Sequence, residues 1–258
     1  MASFPFTSAL VTGASSGIGE AMAELLGAAG IPTVVVARRA DRLQQLADRF
    51  ACIEVLAADL GSREGLATVV ARIEDEAAPI DLVVNNAGFG TSGEFHELDA
   101  DRLDAEVQLN VAALTRLSRA ALGVMVLRGR GFLLNVSSVV SFQPAPKLAV
   151  YAATKAYVTS LTESLHEEVR GTGVHVTALC PGLTRTEFQS VSSTESYATD
   201  YPSFVWLEPT EVAQAGLDDV AKGKALSIPG AMYKGMVAGV SMLPRGLTRR
   251  LSSLVQRN

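Results

Sequence analysis

The sequence contains few residues that bind metals or form disulfides. Its 258 residues include two cysteines, Cys52 and Cys180, and three histidines, His96, His166 and His175. Each cysteine lies in an apolar run, so we expect two buried thiols in a reducing compartment and no disulfide framework. Because no histidine lies near a cysteine, we expect no structural metal ion.

Charge and long apolar segments are also scarce. Charged residues make up 19% of the chain against 48% hydrophobic residues, and the formal net charge is −5. Such a chain folds around an apolar core and has no overall attraction to nucleic acid or to an anionic membrane. No basic stretch with a hydrophobic signal core opens the chain, and its apolar runs are shorter than a membrane span. We therefore expect a soluble, cytoplasmic protein that binds no nucleic acid.

Short β-rich runs alternate with longer helical patterns along the whole chain. The strand candidates lie at 8–12, 32–37, 52–57, 81–85, 131–136, 174–179 and 225–228. The helix candidates lie at 17–29, 39–50, 63–78, 101–127, 150–171 and 210–222. This alternation is typical of an α/β fold in which helices cover both faces of a parallel sheet.

Two segments depart from the alternation. Residues 187–208 are rich in Ser, Thr and Tyr and predict a substrate loop or lid, in which Trp206 is either a hydrophobic cover or a packing anchor. Residues 231–258 carry five basic residues and no acidic one. Within them Leu247 to Arg257 can form a basic amphipathic helix. It is expected to pack on the domain at 1–230 or on a neighbouring subunit, with contact to an anionic membrane surface as the alternative.

A glycine-rich turn follows the first strand and runs directly into a helix. Glycine is needed where a turn is tight and where the backbone approaches a ligand, and the helix N-terminus offers N–H groups and a partial positive charge to a pyrophosphate. Strand, turn and helix in this order predict a dinucleotide site. Its expected contacts are Gly13, Ser15, Ser16, Gly17, Ile18 and Gly19.

The end of the second strand indicates which dinucleotide is bound. An NAD site usually has a carboxylate about 20 residues after the glycines, to hold the ribose 2′-OH. Here Ala37 is followed by Arg38 and Arg39. Because a guanidinium matches the charge and geometry of a 2′-phosphate, the sequence predicts NADP(H), unless the two arginines are only solvated surface residues.

Further motifs, in the same chain order, resemble those of the short-chain dehydrogenase/reductase family over nearly the whole chain. They are Asp59-Leu60 after the third strand, Asn85-Asn86-Ala87-Gly88 after the fourth, Asn110 in the next helix, Asn135-Val136-Ser137-Ser138 after the fifth strand, Tyr151-Ala152-Ala153-Thr154-Lys155 and Pro181-Gly182 with Thr186. The resemblance implies one Rossmann-like, doubly wound domain with seven parallel strands, commonly assembled into homodimers or homotetramers. It also implies cofactor contacts from Asp59, Leu60, Asn86, Ala87, Gly88, Tyr151, Lys155, Pro181, Gly182, Thr184 and Thr186.

Two residues four positions apart on a helix can perform acid/base chemistry here. Tyr151 and Lys155 share a helix face, and positive charge from the lysine and from an oxidised nicotinamide favours the phenolate. The resemblance implies that Ser138 hydrogen-bonds the substrate oxygen and that Asn110 anchors a water in a proton relay. The predicted reaction is hydride transfer between nicotinamide and a carbonyl or secondary alcohol, with Tyr151 as general acid/base.

Two other functions share these motifs. One is a catalytically silent NADP-binding regulator on the same fold. The other is an epimerase or dehydratase that recycles its nucleotide, although such enzymes usually have another glycine spacing and a larger C-terminal region. No motif identifies the substrate. The Phe, Trp and Leu residues within 187–208 favour an apolar ketone or a lipid-like substrate.

Overall fold

A parallel seven-stranded sheet organises the part of the chain that the computed structural model describes, which is residues 4–194, 201–243, 246 and 248. The strands are β1 (Ala9–Thr12), β2 (Thr33–Ala37), β3 (Ile53–Ala57), β4 (Leu82–Asn85), β5 (Gly131–Val136), β6 (Val174–Leu179) and β7 (Leu226–Ser227). Their order is β3-β2-β1-β4-β5-β6-β7, and every pair is parallel. This confirms the predicted Rossmann-like α/β fold.

Helices connect the strands and cover both faces of the sheet. They are α1 (Gly17–Ala28), α2 (Ala40–Arg49), α3 (Arg63–Ile73), α4 (Ala100–Val107), α5 (Leu114–Arg128), α6 (Ala149–Glu168), α7 (Phe188–Val191), α8 (Pro209–Ala221) and α9 (Ala231–Met242). The sequence predicted the crossover helices but missed α7 and α9. It also predicted one continuous helix at 101–127, where a π-helical turn (Gln108–Ala113) separates α4 from α5.

The apolar core has two layers, one on each face of the sheet. Side chains that alternate along a strand point to opposite faces, so Val11 joins one layer and Leu10 the other. Met22 of α1 and Leu217 of α8 belong to the first layer, and Leu117 of α5 belongs to the second. Central strands are therefore apolar on both faces, as their sequences indicated.

The helical run Ala100–Arg128 is, by length and composition alone, apolar enough to span a membrane. In the fold, its α5 part packs against β4, β5 and α3, and its α4 part packs against α6. The hydrophobicity of this run is therefore explained by its contacts within the domain.

The two cysteines differ in their surroundings. Cys180 directly follows β6 in the sheet interior and is fully buried, as expected. Cys52, expected to be buried, is only partly so. It precedes β3, which is an edge strand with exposed positions, so this end of the sheet is open to solvent. The Cys52 thiol donates to the carbonyl oxygen of Gly27 at 3.6 Å.

Tight packing where α5 meets β5 generates a stability prediction. A Cβ at Gly131 would lie 2.6 Å from Met125 Sδ, which is inside van der Waals contact. We therefore expect Gly131→Ala to lower the free energy of unfolding by about 1–3 kcal/mol in urea denaturation. Gly239→Ala in α9 is the matched control, because no atom lies within 4 Å of its Cβ position, and it should be neutral or stabilising by up to about 1 kcal/mol.

A double substitution tests the cause of that loss. If the clash with Met125 destabilises Gly131→Ala, then Met125→Ala should be less destabilising in the Gly131→Ala background than in the native chain. Strictly additive effects would contradict the packing explanation.

Candidate active site

A cleft of about 1420 Å³ opens at the carboxyl ends of the strands. The strand order reverses between β1 and β4, so successive crossovers leave on opposite faces and a crevice remains between them. The predicted site residues that line the cleft are Gly13, Ser15, Ser16, Gly17, Ile18, Arg38, Arg39, Asp59, Leu60, Asn86, Ala87, Gly88, Ser138, Tyr151, Lys155, Pro181, Gly182, Thr184 and Thr186. Gly19 and Asn110, also predicted, do not line it.

The glycine-rich turn forms one end of the cleft as a close-fitting cradle. Gly13 and Gly17 have positive φ angles of 67° and 60°, a conformation that favours glycine. A Cβ at Gly13 would lie 2.8 Å from Asn86 Nδ2, and one at Gly17 would lie 2.9 Å from Thr186. Gly19 packs against Gly13 behind the turn, which explains why it does not face the cleft.

A threonine that the sequence analysis did not single out holds this turn against β4. The Thr12 hydroxyl, at the end of β1, donates to the Val84 carbonyl at 3.1 Å. It accepts the backbone N–H groups of Asn86 at 2.9 Å and Ala87 at 3.1 Å. The Asn86 amide donates in turn to the Thr12 carbonyl at 2.9 Å. The signal available in the sequence was a polar residue, Thr12, at the carboxyl end of an otherwise apolar strand.

At the cradle, Arg39 already has partners within the protein. Its guanidinium donates to Ser15 Oγ at 3.0 Å and to Glu187 Oε2 at 2.8 Å. The Arg39 hydrogen bond is the main reason that the pKa of Glu187 lies below its usual value. Glu187 begins the predicted substrate loop, so this ion pair joins the loop to the cradle. Arg38 is exposed and lines the same end of the cleft.

Tyr151, Lys155 and Ser138 meet at the other end of the cleft. Tyr151 and Lys155 lie on α6, with the lysine Nζ 5.7 Å from the tyrosine ring centroid. Lys155 donates to the Val136 carbonyl at the end of β5 at 2.8 Å. The Ser138 hydroxyl is close enough to Tyr151 to lower the pKa of the phenol. The neighbouring Ser137 hydroxyl donates instead to the Lys155 backbone carbonyl at 2.8 Å, which leaves Ser138 as the serine beside the tyrosine.

Burial controls the protonation of these groups. It raises the pKa of Tyr151 above its ordinary value, and the nearby Ser138 hydroxyl only partly opposes this rise. Burial also lowers the pKa of Lys155 to about 8. The direction for Tyr151 corrects the sequence-based expectation of a lowered pKa. That expectation included the positive charge of a nicotinamide, whereas the protein's own groups leave desolvation dominant.

Asn110 lies in the π-helical turn and positions the loop after β4. Its side-chain oxygen accepts the Phe89 N–H at 3.1 Å, and its amide donates to the Phe89 carbonyl at 2.8 Å and to Thr154 Oγ1 at 3.2 Å. The same loop passes close to Tyr151, since a Cβ at Gly90 would lie 3.1 Å from the tyrosine ring. π-helical turns are frequent at functional sites. The relay water assigned to Asn110 stays a prediction.

Apolar side chains surround the cleft beyond Tyr151. They include Val140, Leu148, Phe188, Val191, Val205, Met232 and Met236. Trp206 does not line the cleft. Its indole N–H donates to the Tyr201 carbonyl at 3.4 Å, and the Arg185 guanidinium lies 5.6 Å from its ring centroid. Of the two interpretations of Trp206, these contacts favour the packing anchor.

The first part of segment 231–258 belongs to this site. Tyr233 of α9 is buried, and its hydroxyl donates to the Val205 carbonyl at 2.7 Å and accepts the Leu183 N–H at 3.0 Å. It thereby joins α9 to the loop after β6 and to the substrate loop. Apart from Thr248, the proposed basic helix from Leu247 to Arg257 lies outside the described residues.

The hydrogen bonds of Thr12 generate a prediction. Thr12→Val keeps the side-chain shape but leaves the N–H groups of Asn86 and Ala87 without their acceptor. We expect the free energy of unfolding to fall by about 1–3 kcal/mol, measured by urea denaturation. Thr12→Ser retains the hydroxyl and is the control, which should lose less. Equal losses for the two variants would show that the hydroxyl does not hold the turn.

Comparison with known proteins places the chain in a family. The family model described as short chain dehydrogenase matches residues 7–196. An uncharacterised oxidoreductase from Staphylococcus aureus (strain MRSA252) is 32% identical over 222 residues, covering 85% of this chain and 93% of that protein.

Two solved structures are similar over almost the full length. A short-chain dehydrogenase from Sphingobium yanoikuyae in complex with NADPH is 34% identical, with a TM-score of 0.81 and coverage of 92% of this chain and 96% of that one. The bulky-bulky ketone specific alcohol dehydrogenase from Comamonas testosteroni is 32% identical, with a TM-score of 0.78 and coverage of 98% and 95%. With the family match and the shared fold, this chain belongs to the short-chain dehydrogenase family of oxidoreductases.

Proposed function

We propose that this protein is an NADP(H)-dependent oxidoreductase that interconverts a ketone and a secondary alcohol, with Tyr151 as general acid/base. The observation that carries the proposal is a single cleft that joins the glycine cradle to Ser138, Tyr151 and Lys155. A nucleotide site alone would suit a silent regulator. A buried tyrosine, lysine and serine at the far end of the same cleft favour an enzyme.

The residues of the cradle fit a dinucleotide phosphate. Gly13 and Gly17 leave no room for side chains, and the N-terminus of α1 begins at Gly17. Arg38 and Arg39 supply positive charge at the same end, as a 2′-phosphate requires. The similar Sphingobium enzyme was solved with NADPH. Thr184 and Thr186 line the cleft between the cradle and Tyr151 and would hold the nicotinamide end.

When bound, the nicotinamide supplies or accepts the hydride at the substrate carbon. In the reductive direction, Tyr151 donates its proton to the carbonyl oxygen. Its raised pKa keeps it protonated at neutral pH and suits it to this step. Ser138, which lines the cleft beside Tyr151, orients the same oxygen. Lys155, fixed by Val136, brings positive charge to the tyrosine and to the adjoining part of the cleft.

The substrate class that suits the cleft is a bulky apolar ketone. Apolar and aromatic side chains surround the space beyond Tyr151, so a substrate with two large apolar groups would be desolvated there. The similar Comamonas dehydrogenase is specific for bulky-bulky ketones, which matches the size of these groups. Assembly into a homodimer or homotetramer and a cytoplasmic location stay predictions from the sequence.

A ketone panel tests the reaction. The purified chain should oxidise NADPH in the presence of bulky aryl and alkyl ketones, measured as loss of absorbance of the reduced nicotinamide. Tyr151→Phe should lower kcat by about 10²–10⁴-fold because it removes the proton donor. NADPH affinity, measured by fluorescence titration, should be unchanged within a factor of about three.

Tyr157→Phe is the control, because Tyr157 lies on the same helix but is exposed, with its hydroxyl 3.0 Å from Thr115. This variant should retain full activity. A Tyr151→Phe enzyme with native turnover would refute the catalytic assignment, and a wild-type chain inactive on every ketone and alcohol with NADP(H) would favour the silent regulator.

The Arg39–Glu187 pair gives a second test, of cofactor choice. A 2′-phosphate that binds Arg39 would compete with the Glu187 carboxylate for its guanidinium. We expect Arg39→Ala to weaken NADPH binding by about tenfold and to leave NADH binding unchanged. Glu187→Gln should strengthen NADPH binding and also leave NADH unchanged, because it removes a competing negative charge. Dissociation constants from fluorescence titration measure both effects.

Arg42→Ala is the matched control, since Arg42 lies 4.0 Å from Glu187 but does not line the cleft. It should alter NADPH affinity less than Arg39→Ala does. Equal weakening of NADPH and NADH by Arg39→Ala would remove the 2′-phosphate assignment.

A further inference from the structure

A buried carboxylate next to the active site has no place in the reaction described above. Glu106 of α4 is 0% exposed, and within the described chain neither of its oxygens has a partner with hydrogen-bond geometry. The Thr91 hydroxyl, also buried, likewise has no partner with hydrogen-bond geometry, although it is close enough to Glu106 to lower the pKa of the carboxyl. An unpaired buried carboxylate destabilises a fold, and such groups concentrate at functional sites.

The surroundings connect Glu106 with Tyr151 and Lys155. Helix α4 packs against α6, which carries both residues. The intervening loop after β4 contains Thr91, and it runs against both side chains. A Cβ at Gly88 would lie 3.6 Å from Lys155 Nζ, and one at Gly90 would lie 3.1 Å from the Tyr151 ring. Glu106 itself does not line the cleft, so it can act on the reaction only through these neighbours.

Within the part of the chain that the structure describes, the cations that act on Glu106 are Arg102 and Lys155. Its own helix contributes Arg102, whose guanidinium lies 5.2 Å from the Phe89 ring centroid and donates to the Val191 carbonyl. Helix α6 contributes Lys155, which is buried. The carboxylate in turn acts on Tyr151, whose pKa it raises. Lys155 is therefore the buried cation with which the Glu106 carboxylate interacts across the protein interior.

We propose that Glu106 is a positioning residue whose buried carboxylate keeps the Lys155 ammonium protonated and so maintains positive charge beside Tyr151. The inference deepens the proposed function and rests on it, because charge on Lys155 matters only where Tyr151 exchanges a proton. Asn110 and Glu106 then have complementary tasks. The former fixes the loop after β4, and the latter fixes the charge behind it.

The electrostatics give the sign of the effect. Burial lowers the pKa of Lys155 to about 8, while Cys180 and the Glu106 carboxylate oppose this fall. Burial also raises the pKa of Cys180 to about 11, so Glu106 is the one of the two that is charged near pH 8. Removing the Glu106 charge therefore lets Lys155 lose its proton at lower pH. Burial raises the pKa of Glu106 itself, against the opposing effects of Thr91, Arg102 and Lys155. In acid the carboxyl becomes neutral and its influence on Lys155 ends.

The test is a direct titration of Lys155. The chain contains five lysines, so ¹³Cε-lysine labelling gives few NMR signals, and Lys155→Arg identifies the one of interest. In Glu106→Gln we expect the Lys155 titration midpoint to move to lower pH by about half a pH unit or more. Asp104→Asn is the control, because it removes the same charge from an exposed position on the same helix, and it should leave the midpoint in place.

Thermal unfolding supplies a second readout that needs no cofactor. A carboxyl whose pKa is raised on folding contributes stability only in acid, and this contribution is lost as the pH rises through the folded pKa. Glu106→Gln should therefore melt above the wild type at neutral pH, with the difference closing in acid. An unmoved Lys155 midpoint, or a variant that melts lower or does not fold, would overturn the inference.

The kinetic profile separates this inference from the proposed function. In Glu106→Gln the alkaline limb of the kcat/KM profile for ketone reduction should move in the same direction as the NMR midpoint, whereas Glu106→Asp, which keeps the charge, should restore most of the native profile. If the Lys155 midpoint moves in Glu106→Gln but the wild-type chain has no turnover, only the proposed function is refuted. Normal turnover with an unmoved midpoint would refute the part assigned to Glu106 alone.

Discussion

Parallel pairing of β1 with β4 is the constraint on which the site depends. β2 pairs with one edge of β1 and β4 with the other, so the crossovers after β1 and β4 leave on opposite sides of the sheet. The chain must then turn sharply at both strand ends. Thr12 joins these ends, because its hydroxyl contacts the backbone of β4 and the residues that follow it. The cradle is thus held by the same contacts that hold the sheet together.

Backbone atoms, more than side-chain pairs, place the reactive groups. The Val136 carbonyl accepts a hydrogen bond from the Lys155 ammonium. The Asn110 side chain hydrogen-bonds both the backbone N–H and the backbone carbonyl of Phe89. Since these backbone atoms lie at or just beyond the ends of β5 and β4, the register of the sheet fixes the distance between the lysine and the loop that passes Tyr151. A displacement of one strand relative to the other would change this distance, so the pairing of β4 with β5 keeps the site in its geometry.

The sequence predicted the elements whose signals are local. Apolar runs predicted every strand to within about one or two residues, because β-rich runs bounded by turns are a short-range pattern. Of the site residues predicted from the motifs, all but Gly19 and Asn110 line the cleft. The pairing of Arg39 with Glu187 was beyond reach, because it joins residues 148 positions apart. The π-helical turn at Asn110 was missed for another reason, since helical periodicity does not register one additional residue.

Residues with no motif were the hardest to interpret. Tyr233 of α9 lies in a segment that the sequence describes by its basic charge, yet its contribution is a buried phenol that bonds two loops. Trp206 could be assigned only from its contacts with Tyr201 and Arg185. In both cases the information lies in tertiary contacts that composition does not encode, because an amphipathic side chain can bury its ring and satisfy its polar atom in many ways.

Two glutamates show why the net charge of the chain says little about its site. Glu187 lies at the cradle, half-exposed, where a hydrogen bond from Arg39 lowers its pKa. Glu106 lies behind Tyr151, fully buried, where desolvation raises its pKa. The two carboxyls contribute equally to the formal charge of −5. Their effects differ because of where they lie. Glu187 is exposed to solvent and pairs with the Arg39 guanidinium, whereas Glu106 is buried and interacts with Lys155 across the protein interior. Position within the fold therefore gives each carboxylate its function, which a sum over the sequence conceals.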